Sequence, residues 1–158
     1  MEELMEPNEN AERTYYNSRY RHGVDPKRRV SIPAKWRPAK SGIQLTLVVW
    51  PKAKEGPCLR VLPPQKMAAL TRDIEAMPNE DPNKAVLKRF VGSQSVQVTL
   101  DKVGRIVVPE EMAQAAGIGE EAILVGVLDA FEIWSPERYE KVESADAIMA
   151  QEAFKRME

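Results

Sequence analysis

Apolar residues along the chain fall into short runs of strand length, and helical spacing appears only after them. "LTLVVW" (45–50) and "AILVGV" (122–127) are continuous apolar runs bounded by turn residues, as expected for strands buried on both faces. Each leads into a second strand-like run that ends in proline, "CLRVLPP" (58–64) and "AFEIWSP" (130–136). The period then changes. Met67, Leu70, Ile74 and Met77 recur at helical intervals in one block, and Tyr139, Val142, Ala145 and Met149 in the other, which predicts a closing helix for each. Before the second block, Val96, Val98 and Leu100 alternate with Gln97 and Thr99, the pattern of a half-buried strand. The polar segment "PNEDPN" (78–83) separates the blocks and leads into "KAVLKRFVG". This predicts a short helix with Val86, Leu87 and Phe90 on one side and Gly92 as its stop.

The two blocks are copies of one unit. "VDPKRRVSIPAKWRP" (24–38) and "LDKVGRIVVPEEMAQ" (100–114) share the pattern D-x-x-x-R-φ-x-φ-P, with Asp25/Asp101, Arg29/Arg105 and Pro33/Pro109 each 76 positions apart. An Asp at a strand end accepts backbone N–H bonds in the turn. An Arg opening the next strand returns to it as a charge-assisted partner, and a Pro four residues later suits the first position of a helix. Trp36 and Met112, three residues past the matched prolines, are expected to point inward in equivalent places. Each half therefore reads strand, turn, strand, short helix, strand, hairpin, strand, helix. The first hairpin, "PKAKEGP" (51–57), is longer than the tight turn around Asp129. A unit of this size buries little core alone, so the halves are expected to interlock as an internal pseudo-dimer.

Composition narrows the chemistry. With 158 residues, 43% hydrophobic and 30% charged, the chain has an ordinary soluble balance, and no apolar run approaches the roughly 20 residues that cross a bilayer. The start "MEELMEPNENAER" is acidic and does not read as a secretory signal. One cysteine, Cys58, and one histidine, His22, exclude an internal disulfide framework and offer no metal-ligand spacing. No glycine-rich phosphate loop and no nucleophile with a histidine partner is present, so no catalytic residue, metal or cofactor is expected. The net charge of −1 hides an uneven distribution: residues 19–40 hold eight Lys or Arg and one Asp, while residues 1–14 hold five Glu and one Arg. Such a basic run serves either as a solvated strip or as a face for a phosphate backbone. Lys27, Arg28, Arg29, Lys35 and Arg37 crowd the first copy, whereas the second sets Lys102 and Arg105 beside Glu110 and Glu111.

The paired D-x-x-x-R motifs with their "R-R-V-S-I-P" and "G-R-I-V-V-P" continuations resemble the MraZ family of bacterial transcriptional regulators over roughly residues 15–143. The resemblance implies an α+β, β-rich fold, a tandem duplicated swapped-hairpin β-barrel pseudo-dimer of the AbrB type with short helices. On it the chain divides into an acidic extension (1–14) expected to lack fixed structure, a first AbrB-like repeat (15–77), a linker and short helix (78–93), a second repeat (94–143) and a C-terminal helical tail (144–158). It also implies a cytoplasmic, nucleoid-associated regulator, expected as a repressor of the division and cell-wall gene cluster. Such a protein assembles as a homo-oligomeric ring and binds promoter direct repeats in double-stranded DNA. Lys27, Arg28, Arg29, Lys35, Arg37, Lys102 and Arg105 are then the DNA-contacting candidates, and Asp25, Pro33, Asp101 and Pro109 the structural ones. Two departures from the family pattern stand out: Arg28 occupies a position where Gly is usual, and Pro38 falls inside the expected short helix. Two alternatives share this fold, a protein-interaction ring without DNA binding and an antitoxin-type autoregulator. For the latter the tail offers Ile148, Phe154 and Met157 to a partner, against the plainer expectation that it packs on its own chain.

Overall fold

Eight strands and four α-helices realise the duplicated order in the computed structural model, which describes residues 15–51 and 54–157; the acidic extension 1–14 lies outside the described residues. The first half runs β1 (Arg19–Gly23), β2 (Arg29–Ser31), a 3-10 turn (Ala34–Trp36), β3 (Leu45–Trp50), β4 (Cys58–Leu62) and α1 (Pro64–Glu75). α2 (Pro82–Ser93) links it to β5 (Ser95–Val98), β6 (Arg105–Val107), α3 (Glu110–Ala116), β7 (Glu121–Gly126), β8 (Phe131–Trp134) and α4 (Pro136–Met157).

The halves exchange their first strands. The large sheet has the order β1-β7-β8-β4-β3-β5, which reads the same from either end when the halves are interchanged. β1 pairs with β7 of the second half, β5 with β3 of the first, and β4 with β8 across the centre, all antiparallel. β2 and β6 form a separate two-stranded ribbon. In the ribbon Val30 faces Ile106, and in the sheet Arg60 faces Glu132; both are pairs of matched positions, so they mark a pseudo-two-fold axis. The pairing is open, with β1 and β5 at its edges, and no strand pair among the described residues closes it into the barrel that the resemblance implied. The α+β, β-rich class is as expected.

Alternation along the strands divides the core into layers. Leu47, Leu59, Leu124 and Ile133 turn one sheet face toward Val30 and Ile106 of the ribbon and Ile32 and Val108 just past its strands, with Trp36 and Met112 buried in the same cluster. The opposite face packs Cys58, Ile123 and Trp134 against Val142 of α4, and Val48 and Leu62 against Met67 and Leu70 of α1. Buried on both faces, these strands show no amphipathic alternation in the sequence.

Four details differ from the sequence expectation. The matched prolines cap their helices from one residue earlier, as N-caps. The first copy has only a 3-10 turn where the second has a seven-residue α-helix: Pro38 biases the residue before it away from helical geometry, and Arg37 is extended (φ −76°, ψ 138°). α2 runs through Gly92 to Ser93 and buries Val91, leaving Val86, Leu87 and Phe90 exposed. α4 is one helix from Pro136 to Met157 with no break at 143/144. Its distal Ile148, Met149, Phe154 and Met157 are exposed, so the tail does not pack on its own chain.

Candidate nucleic-acid interface

Each D-x-x-x-R motif closes a turn that its own carboxylate organises. Asp25 Oδ1 accepts the backbone N–H groups of Lys27 (2.9 Å) and Arg29 (2.8 Å), and Oδ2 accepts Arg29 Nε at 2.7 Å. The second copy repeats this: Asp101 Oδ1 accepts from Val103 (3.0 Å) and Arg105 (2.9 Å), and Oδ2 from Arg105 Nε at 2.9 Å. The Arg29 backbone N–H, then its guanidinium and the Lys27 N–H, holds the Asp25 carboxyl below its usual range against a desolvation penalty. For Asp101 the Arg105 backbone N–H leads, followed by the Arg105 side chain and the Val103 N–H. Both carboxylates are therefore ionised acceptors at neutral pH.

The turn requires a left-handed residue just before the arginine. Gly104 supplies it at φ +86°, and Arg28 supplies it at φ +61°, where a side chain costs about 1–2 kcal/mol. One hydrogen bond offsets that cost in the first copy: Arg28 Nε donates to the Val108 carbonyl (3.1 Å), while the backbone bond from Val108 N–H to the Arg28 carbonyl (2.9 Å) has its equal in the second copy, from Ile32 N–H to the Gly104 carbonyl (2.9 Å).

The two turns lie at opposite ends of one ribbon. Its register pairs Arg29 with Val107 and Ser31 with Arg105, and Val30 and Ile106 between them are fully buried. Arg29, Ser31, Arg105 and Val107 accordingly share the outer face. The structure thus joins both copies into a single surface, where the sequence reading treated the basic first copy as a head of its own. Lys27 and Lys102 are exposed in the turns, and Lys35 and Arg37 are exposed around the 3-10 segment. Arg37 Nε donates to the Ile32 carbonyl at 2.8 Å, while Arg28 is half-buried. Ser31, Val107 and the exposed Val103 were missed from sequence, although strand alternation from Arg29 and Arg105 points to the first two. Glu110 and Glu111, which dilute the charge of the second copy, occupy the first turn of α3, where carboxylates complement the helix dipole.

Among the described residues no group of three His, Cys, Asp or Glu side chains converges to hold a metal ion, and no helix is long and apolar enough to cross a membrane. The fold is that of an internally duplicated, strand-exchanged chain with one two-stranded ribbon on its pseudo-dyad, carrying an arginine from each copy. The comparisons with known proteins give the particular group: the chain belongs to the MraZ family. A family model described as "MraZ protein, putative antitoxin-like" matches residues 93–158. The transcriptional regulator MraZ of Roseiflexus sp. (strain RS-1) is 33% identical over 127 residues, covering 80% of this chain and 85% of that protein. The transcriptional regulator MraZ of Rickettsia rickettsii (strain Sheila Smith) is 33% identical over 137 residues, 85% of this chain and 91% of that one.

Proposed function

We propose that this protein is a sequence-specific regulator that reads double-stranded DNA with the β2–β6 ribbon, acting as a repressor. The observation that carries the reading is the outer face of that ribbon, where Arg29, Ser31, Arg105 and Val107 stand together over a buried Val30–Ile106 pair. A two-stranded ribbon fits a major groove; there arginine addresses guanine O6 and N7, serine either partner, and an apolar side chain the thymine methyl. Lys27, Lys35 and Lys102, exposed around the ribbon, suit phosphates. In this reading the exchanged strands and the ribbon together wrap the common core as a swapped-hairpin barrel.

A chain of net charge −1 draws little non-specific help from its overall field, so one ribbon alone binds weakly. Self-assembly supplies the remainder. α2 exposes Val86, Leu87 and Phe90 and carries Lys84, Lys88 and Arg89 with no acid. The distal part of α4 exposes Ile148, Met149 and Phe154, with Asp146 and Glu152 and no base between 146 and 154. Apolar helix faces that the chain leaves uncovered fit a second copy. A ring built this way presents several ribbons to several direct repeats, and linkage multiplies their affinity. In this reading the repeats lie upstream of the division and cell-wall gene cluster and the protein works on the cytoplasmic nucleoid, which the likeness to the regulators named above supports.

Footprinting on the DNA upstream of its own gene, with gel shifts on one, two and three repeats, tests this reading. Affinity is expected to rise with repeat number, to drop when two repeats are offset by about half a turn from the roughly 10–10.5 base-pair spacing, and to fall with salt at a log–log slope of about −0.9 per neutralised phosphate. Binding to no duplex at all leaves the protein-interaction ring as the function.

A further inference from the structure

The two departures from the family pattern, Arg28 and Pro38, belong to one exchange. In the second turn, Gly104 has no side chain, and a Cβ built there would meet the Arg37 guanidinium, whose atoms are its three nearest neighbours. Arg37 reaches that place because Pro38 holds it in extended backbone, out of the helix. Its Nε donates to the carbonyl of Ile32, whose own N–H donates to the Gly104 carbonyl. At the first turn the matched carbonyl, Val108, accepts from Arg28 Nε, and the Val108 N–H donates to the Arg28 carbonyl. The residue matching Arg37 there is Ala113, inside α3, which sends no long side chain over the turn. One guanidinium therefore sits at each end of the ribbon, on the carbonyl preceding a matched proline. At one end the turn residue supplies it; at the other a side chain arriving from outside the turn does.

We infer that Arg28 and Arg37 are a matched pair of phosphate clamps for duplex DNA, one at each end of the ribbon; this rests on the DNA reading above. The Nε bonds fix each guanidinium, and among the described residues no hydrogen bond or ion pair engages the Nη1 or Nη2 groups of either. Those are the donors that fork onto phosphate oxygens. The two acceptor carbonyls lie about four residues apart along the ribbon, roughly 13 Å at about 3.3 Å per residue. A major groove is about 12 Å wide. A ribbon set across the groove thus presents its two ends to the phosphates of the two walls, while Arg29 and Arg105 face the bases. The clamps contribute affinity without sequence preference.

The test uses the full-length protein with a duplex from upstream of its own gene and an unrelated duplex of equal length. Arg28→Gly and Arg37→Ala are each expected to weaken binding to both duplexes by about tenfold and to make the salt slope shallower by about 0.9, with the thermal melting midpoint retained. Arg28→Gly suits the left-handed backbone, so its loss of binding does not come from misfolding. The decisive variant is Arg37→Ala with Gly104→Arg, which removes the overlapping side chain and gives the second turn the arrangement of the first. It is expected to regain both affinity and slope. If Arg28→Gly and Arg37→Ala bind with unchanged slope, or if the folded double variant stays as weak as Arg37→Ala, the clamps are overturned while the DNA reading stands. If the unaltered protein binds neither duplex, the DNA reading itself has failed, and the clamps with it.

Discussion

Replacing Arg60 with methionine strands a buried carboxylate at the centre of the sheet. Glu132 is 5% exposed and accepts Arg60 Nε at 3.0 Å and Nη2 at 2.5 Å, with Trp134 Nε1 on its other oxygen at 2.8 Å. The Arg60 guanidinium also lies 4.2 Å from the Trp50 ring centroid. Removing one partner of such a pair costs about 3–5 kcal/mol, because the remaining charge stays desolvated. That is about a fifth or more of a typical stability of about 5–15 kcal/mol, and at about 2–4 °C per kcal/mol for a chain of this size the melting midpoint falls on the order of 10 °C. The exposed pair Arg21–Glu121 is the control, worth about 0–1 kcal/mol. Position gives the pair a second role. Arg60 and Glu132 occupy matched places and face each other across the pseudo-dyad, so pairing two first halves sets Arg against Arg, and two second halves Glu against Glu. Only the pairing of unlike halves neutralises both. Urea unfolding followed by tryptophan fluorescence is the assay. Arg60→Glu is expected to be the worst variant, and Arg60→Glu with Glu132→Arg to recover most of the loss. A cost below about 1 kcal/mol for Arg60→Met, or no recovery in the reversed pair, refutes the reasoning.

Further outcomes follow from the same geometry. Asp25 and Asp101 have folded-state carboxyls held below their unfolded range, so the stability they contribute is fully present above about pH 4 and is lost as the pH falls through their lowered folded values. Melting curves between pH 7 and pH 2 are expected to show this decline, and Asp25→Asn with Asp101→Asn to flatten it. Phe154→Glu on the exposed end of α4 is expected to leave the melting midpoint of the fold in place and to reduce the mass measured by light scattering; unchanged mass removes α4 from the assembly surface.

Much of this was legible in the sequence because repeated chemistry repeats its geometry. The 76-residue offset predicted that Asp101 would accept what Asp25 accepts, and the distances agree to within about 0.2 Å. The inward places of Trp36 and Met112 followed from the same offset, and both are buried in one cluster. What the sequence concealed was pairing between distant segments. Nothing local states that β2 lies against β6, so the two motifs looked like two heads of unequal charge. The apolar face of distal α4 read as packing on its own chain, since periodicity shows that a face is apolar but not what covers it. Arg28 looked like a strained substitution until Val108, 80 residues away, provided its acceptor.

In the proposed function both copies contribute to one reading surface, which a comparison of Arg29→Ala with Arg105→Ala on the same upstream duplex tests. Each substitution leaves its Asp with two backbone N–H partners, so both variants are expected to stay folded, with melting midpoints lowered by a few degrees at most. Each is expected to lose at least about tenfold in affinity and to relax base preference at its own position. Undiminished binding by folded Arg105→Ala, with Arg29→Ala inactive, contradicts the single ribbon and returns the reading to the first copy alone.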